Sequence, residues 1–216
     1  MRWKFILGLL TTCAVLMSMS YTMLIPFLPM YLIQDLGVVK ADVDMWSGAI
    51  FAITFLVSGI MAPIWGALAD KKSRKLMAMR AGFCLAITYF LGGLVTNPWE
   101  LLGVRFIQGL SAGLWPALLA IISVESPKLK LGFCLGVMQG GMTAGGVLGP
   151  LFGGLLADQF GMRMAFFIAA AALFLITLAL LFFVKEEPRK PDPNAKPVKI
   201  WDFSLCKIPA VKRMLI

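Results

Sequence analysis

The sequence contains no histidine, and its four cysteines, Cys13, Cys84, Cys134 and Cys206, are scattered along 216 residues, the first three inside apolar runs. Without histidine or clustered cysteine no ligand set exists for a protein-held transition metal. The cysteine spacing gives neither a disulfide framework nor a CxxC site, and the isolated thiols read as small apolar fillers. Charge is scarce as well: 14% of residues are charged, 11 acids against 20 Lys and Arg. A water-soluble domain of this size needs more polar surface, so that class is excluded. What remains is 60% hydrophobic, with a mean hydropathy of +0.87, the signature of a polytopic membrane protein. The net charge of +9 invites nucleic acid as a partner. Its cations, however, sit in short clusters between apolar runs, which is the positive-inside pattern, and no nucleic-acid partner is expected.

Six apolar runs are each long enough to cross the hydrocarbon, which takes about 20 helical residues. They cover 5–33, 45–69, 76–95, 99–123, 131–157 and 164–184. The first is longer than the ~7–15 residues of a secretory h-region, so it reads as an uncleaved span. Loop charge alternates as the count requires. The stretch 35–44 carries three acids and one Lys, 96–98 is uncharged and 158–163 is balanced, whereas 70–75, 125–130 and the tail from 185 are basic. Both termini are therefore expected on the cytoplasmic side. The expected organisation is a six-helix bundle over 1–184, a Pro-rich cytoplasmic linker over 185–208 and, at 209–216, the beginning of a seventh helix cut short.

The basic turn after the second run is the most informative stretch. Gly66-x-Leu68-Ala69-Asp70-x-x-Ser73, followed by Arg74 and Lys75, recurs as Gly154-x-Leu156-Ala157-Asp158-x-x-Gly161 with Arg163 in the place of Lys75. The copies end the second and fifth spans, on opposite membrane faces. Pro29 and Pro116, in the first and fourth spans, sit at nearly the same offset. Together these predict three helices repeated upside down, the inverted 3+3 arrangement of many secondary transporters.

Arg105 lies several residues inside the fourth run, where a central cation costs at least ~2.5 kcal/mol. Gln108 is one turn away and cannot neutralise it, and no acid lies in the interior of any span. Arg80, about a turn from the cytoplasmic edge, reads as structural. The fifth span carries two glycine rows at four-residue spacing, Gly132, Gly136 and Gly140, then Gly141, Gly145, Gly149 and Gly153, a pattern suited to close backbone approach, with Pro150 placed to bend the helix. Tyr21, Phe27, Tyr31, Phe55, Trp115, Met138, Gln139 and Met142 are candidates for an adaptable cavity wall.

Gly66 to Lys75 resembles the loop motif between the second and third helices of the major facilitator superfamily. Leu102-Gly-Val-Arg105-Phe-Ile-Gln108-Gly109 resembles its fourth-helix motif, and Gly145-Gly-Val-Leu-Gly149-Pro150-Leu-Phe-Gly153-Gly154 the fifth-helix motif of drug:proton antiporters. The chain is most similar to the bacterial type-1 drug:proton antiporters, which implies the N-terminal half of a twelve-helix fold in the inner membrane. The resemblance implies proton-coupled efflux of lipophilic compounds by alternating access, with no enzymatic chemistry and no cofactor beyond the proton gradient. Its implied partners are a small lipophilic substrate, the proton, membrane lipid and a missing C-terminal half. It makes Gly66, Asp70, Arg74 and Lys75 a conformational latch, gives Arg105, with Gln108, a role in proton coupling beside a carboxylate, and turns the fifth-helix glycines toward the second half. Asp35 is the nearest first-half carboxylate. Ser73 stands where the family usually has Gly, so if that position needs φ > 0 the turn here is slightly strained or shaped differently. Two other readings stay open: a transporter of a small organic anion, which an uncompensated Arg105 would suit, and a half-size membrane subunit that does not transport.

Overall fold

Hydrocarbon offers backbone groups no hydrogen-bond partner, so apolar runs of this length are driven into helices that satisfy their own N–H and C=O groups. The computed structural model describes residues 2–71 and 73–184. Its regular structure is helical throughout: α1 Arg2–Met23, α2 Leu28–Gln34, α3 Val43–Lys71, α4 Arg74–Leu94, α5 Pro98–Leu110, α6 Leu114–Glu125, α7 Leu131–Phe160 and α8 Met162–Phe183, with a short 3-10 turn at Lys128–Lys130. Six spans result, as expected, but two are broken. The first divides into α1 and α2 around Ile25–Phe27, and the fourth into α5 and α6 at Ser111–Gly113. The expected linker at 185–208 and helix start at 209–216 lie outside the described residues.

The packing obeys the inverted repeat. α1 runs parallel to α7: a Cβ on Gly141 would meet Thr11, on Gly145 the Val15 backbone, and on Gly153 the Met23 carbonyl oxygen at 2.7 Å. α3 runs parallel to α5, with Trp46 edge-on to Trp99, Thr54 and Val57 against Gly109, and Trp65 near Leu110. α4 and α8 are antiparallel, Gly82 facing Thr177 and Gly92 facing Phe166. Exchanging the first three spans for the last three leaves this set of pairs unchanged. The breaks in the first and fourth spans are also equivalent. Pro29 and Pro116 each fall in the first turn after the break, where proline's missing N–H costs no intrahelical bond. Pro63 and Pro150 match inside α3 and α7, and both helices continue through them.

Helix ends carry the same symmetry. The Lys75 ammonium, at the start of α4, donates to the Leu181 carbonyl near the end of α8. Arg163, at the start of α8, donates from Nη2 to the Val95 carbonyl that ends α4, at 3.3 Å. Each of the two cations matched in the sequence repeat thus satisfies a carbonyl left over at the end of the neighbouring helix, where positive charge is favoured. The third and sixth spans form the bundle's spine. Tyr31, fully buried, ties α2 to it by donating to the Gly92 carbonyl at 2.9 Å and packing on Phe166.

Candidate functional site

Arg105 is delivered by α5 into the interior of the bundle and is 5% exposed; it does not snorkel to a membrane face. Its Nη1 donates to Gln108 Oε1 at 3.0 Å, one turn along the same helix. From α3, the Thr54 hydroxyl reaches the carbonyls of Ile50 at 2.9 Å and Arg105 at 3.4 Å, fastening the second span to the fourth beside the cation. From α4, the buried Tyr89 hydroxyl donates to the Ser20 carbonyl of α1 at 2.8 Å and lies beside both Arg105 and Gln108. Residues of α1, α3, α4 and α5 therefore meet in one cluster around Arg105.

The cluster has more donors than acceptors. Arg105 Nη2 and Gln108 Nε2 are buried without a hydrogen-bond partner among the described residues. Such groups are costly in hydrocarbon, so the arrangement is complete only with an acceptor brought to it. Asp35 does not supply one: its carboxylate meets Arg163 Nε at 3.3 Å, at the far end of the first span.

A second region lies on the face that carries the basic turn. A cavity of about 440 Å³ opens between α3 and α6, lined by Ala62, Trp65 and Gly66 of α3, Arg74 and Arg80 of α4, and Pro116 and Ala117 of α6, among others. Gly66 makes no close helix contact within this bundle. A Cβ there would meet nothing within 4 Å, and the residue faces the cavity. At Ser73 the turn is shaped differently from one that needs φ > 0. Its φ of −61° and ψ of 128° are extended, and its side chain caps α4 by accepting from the Leu76 N–H at 3.1 Å. No positive φ is needed there, and the serine's job is that of an N-cap.

The glycine rows separate. Gly141, Gly145, Gly149 and Gly153 are closed by α1 within this bundle, so these glycines are not free to meet a second half. Gly132, Gly136 and Gly140 are exposed, with nothing near their Cβ positions. α7 continues through Pro150, and its contact with α1 persists on both sides of the proline, at Gly149 and Gly153. Of the cavity candidates, Tyr31 and Met138 are fully buried core residues. Phe27 packs on Gly154, Tyr21 and Phe55 meet edge to face with ring centroids 6.2 Å apart, Trp115 and Met142 are half-buried, and Gln139 is exposed.

Sequence reasoning missed Tyr89, Thr54 and Ser20, which carry no motif of their own. It also missed the break at Ser111–Gly113, for which Ser-Ala-Gly followed shortly by Pro116 was a usable signal.

Six spans in an inverted three-helix repeat, with a buried cation at their convergence, define a helical membrane bundle of the secondary-transporter type. The chain belongs to the Major Facilitator Superfamily, which it matches over residues 10–213. Multidrug resistance protein MdtG of Citrobacter koseri is 42% identical over 186 residues, covering 86% of this chain and 46% of that protein. The protein of the same name from Yersinia enterocolitica is 40% identical over 187 residues, 86% of this chain and 45% of its own length. The chain thus spans about half the length of the curated relatives it matches. Among solved structures, a bacterial homolog of the human lysosomal transporter Spinster, inward-facing and unoccupied, superposes with a TM-score of 0.72 over 90% of this chain and 46% of that one, at 23% identity. The POT family transporter PepTSo superposes with a TM-score of 0.73 over 87% of this chain and 40% of that one, at 14% identity. These two likenesses concern the fold.

Proposed function

We propose that this chain forms the N-terminal six-helix half of an inner-membrane exporter that exchanges lipophilic compounds for protons, its two ends and the basic turn facing the cytoplasm. The observation that carries the reading is Arg105. A buried guanidinium, hydrogen-bonded to Gln108 of its own helix and left with an unmet donor, is a fixed charge waiting for a carboxylate or substrate acceptor that a second bundle would bring. Rocking of one bundle against the other would make and break that contact. The drug class follows from relatives named for multidrug resistance. Asp70, Gly66, Arg74 and Lys75 then act as the cytoplasmic latch of one access state, with Gly66 exposed to receive the facing half.

The test is efflux of a fluorescent lipophilic cation from cells expressing the full-length protein. Arg105→Ala should abolish proton-driven exchange, and Asp70→Asn should impair efflux with membrane abundance unchanged. Normal exchange by the Arg105 variant would reduce that residue to a structural role. The unpaired donors also suit a second reading, transport of a small organic anion. Uptake or efflux of a carboxylate that saturates and is lost in Arg105→Gln, with no cation efflux by the parent protein, would replace the first reading by the second.

A further inference from the structure

The inverted repeat is broken in one respect. In the first span, α1 approaches its break wedged against Gly145, Gly149 and Gly153 of α7, backbone to backbone. In the fourth span α5 also meets backbone, Gly109 lying against the Thr54 carbonyl of α3, but the break itself is held by side chains. α5 stops at Leu110, and the Leu110 carbonyl accepts from Trp65 Nε1 of α3 at 2.8 Å. Two residues on, the Ala112 carbonyl accepts from Arg80 Nη2 of α4 at 3.0 Å. The Arg80 guanidinium lies over the Trp65 ring, 3.4 Å from its centroid, so the two donors form one stacked unit. A carbonyl released from a helix inside hydrocarbon costs several kcal/mol if left bare, and these two depend on residues from other spans.

Gly113 then turns the chain at φ +118°, a conformation that disfavours any side chain. Below it α6 packs on α4 and stands apart from α3, and the space between is the cavity that reaches from the break to Gly66 and Arg74. Above it, Gln108 is three residues from Ser111, the start of the break. The catch therefore sits between the latch loop and the Arg105 cluster.

We infer that Trp65 and Arg80 are positioning residues for transport: they latch the break of the fourth span in its bent form and hold α6 away from α3, so that release of the catch lets α6 swing and moves the base of the Arg105 helix. The inference rests on the transporter reading for its consequence, but not for its geometry.

The experiment measures both. Spin labels at Ala69→Cys and Ala120→Cys, on opposite walls of the cavity, report the α3–α6 separation in the full-length protein by pulsed electron resonance. Trp65→Phe keeps the ring and removes the N–H donor. It should shift the population toward a shorter separation by about tenfold, the scale of one lost buried hydrogen bond. It should also lower the turnover of lipophilic-cation efflux with KM little changed. Arg80→Lys, which keeps charge without the planar stack, should shift both readouts in the same direction by less. Gly113→Ala, which strains the bent form, should act like Trp65→Phe. An unaltered distance distribution in Trp65→Phe and Arg80→Lys, whatever happens to expression or melting temperature, would overturn the inference. If the parent protein shows no efflux, the transporter reading falls while the distance measurement still decides whether the catch exists.

Discussion

Gly145 and Gly146 are neighbours on α7 whose replacement by alanine should have opposite effects. Both changes relieve the entropic cost of glycine in a helix interior, worth roughly 0.5–1 kcal/mol in favour of alanine. At Gly146 the new methyl would lie 3.4 Å from the Ser18 hydroxyl, an ordinary contact with a side chain that can rotate. At Gly145 it would drive into the carbonyl of Val15, which is helix backbone and has no rotamer to relieve the clash. Separating α1 from α7 to admit it should cost about 1–3 kcal/mol, the usual range for an overpacked interior. Gly146→Ala should therefore be neutral or stabilising, and Gly145→Ala destabilising by a net ~0–2.5 kcal/mol after the helix gain.

The protein carries its own reporters for this measurement. Cys13 and Cys134 are both fully buried. In a background with Cys84 and Cys206 replaced by serine, a thiol-reactive fluorophore reads unfolding on heating in detergent. A melting temperature that falls in Gly145→Ala and holds or rises in Gly146→Ala is the expected outcome. Equal shifts in the two variants would refute the claim that the first and fifth spans are locked by backbone contact, and with it the contrast between the two span breaks.

Two further outcomes use the same assay. Ser73→Ala should cost about 1 kcal/mol by removing the cap on α4, whereas Ser73→Gly should cost only a few tenths; a large loss in the glycine variant would mean that the serine does something other than cap. Tyr31→Phe leaves the Gly92 carbonyl without its 2.9 Å donor in a buried setting and should destabilise by about 1–3 kcal/mol; an unchanged melting temperature would show that the first span is not tied to the spine through this bond.

By itself the sequence determined the class, the six spans and their repeat, because hydrocarbon admits only self-satisfied helices and because short charged turns between long apolar runs mark where each span ends. The pairing of Lys75 with Arg163 was legible in the same way, and the structure gave it a physical meaning in the reciprocal capping of α4 and α8. What the sequence did not decide is which face of each helix meets which neighbour. Helices that are apolar on every side carry no stripe that distinguishes core from lipid. The row Gly141 to Gly153 therefore gave its spacing but not its partner α1, and Tyr31 and Met138 were as plausible for a cavity wall as for the core they occupy. The break at Ser111–Gly113 needed the tertiary structure most. A helix ends inside hydrocarbon only where donors from elsewhere receive its carbonyls, and Trp65 and Arg80 lie 45 and 32 positions from the groups they serve.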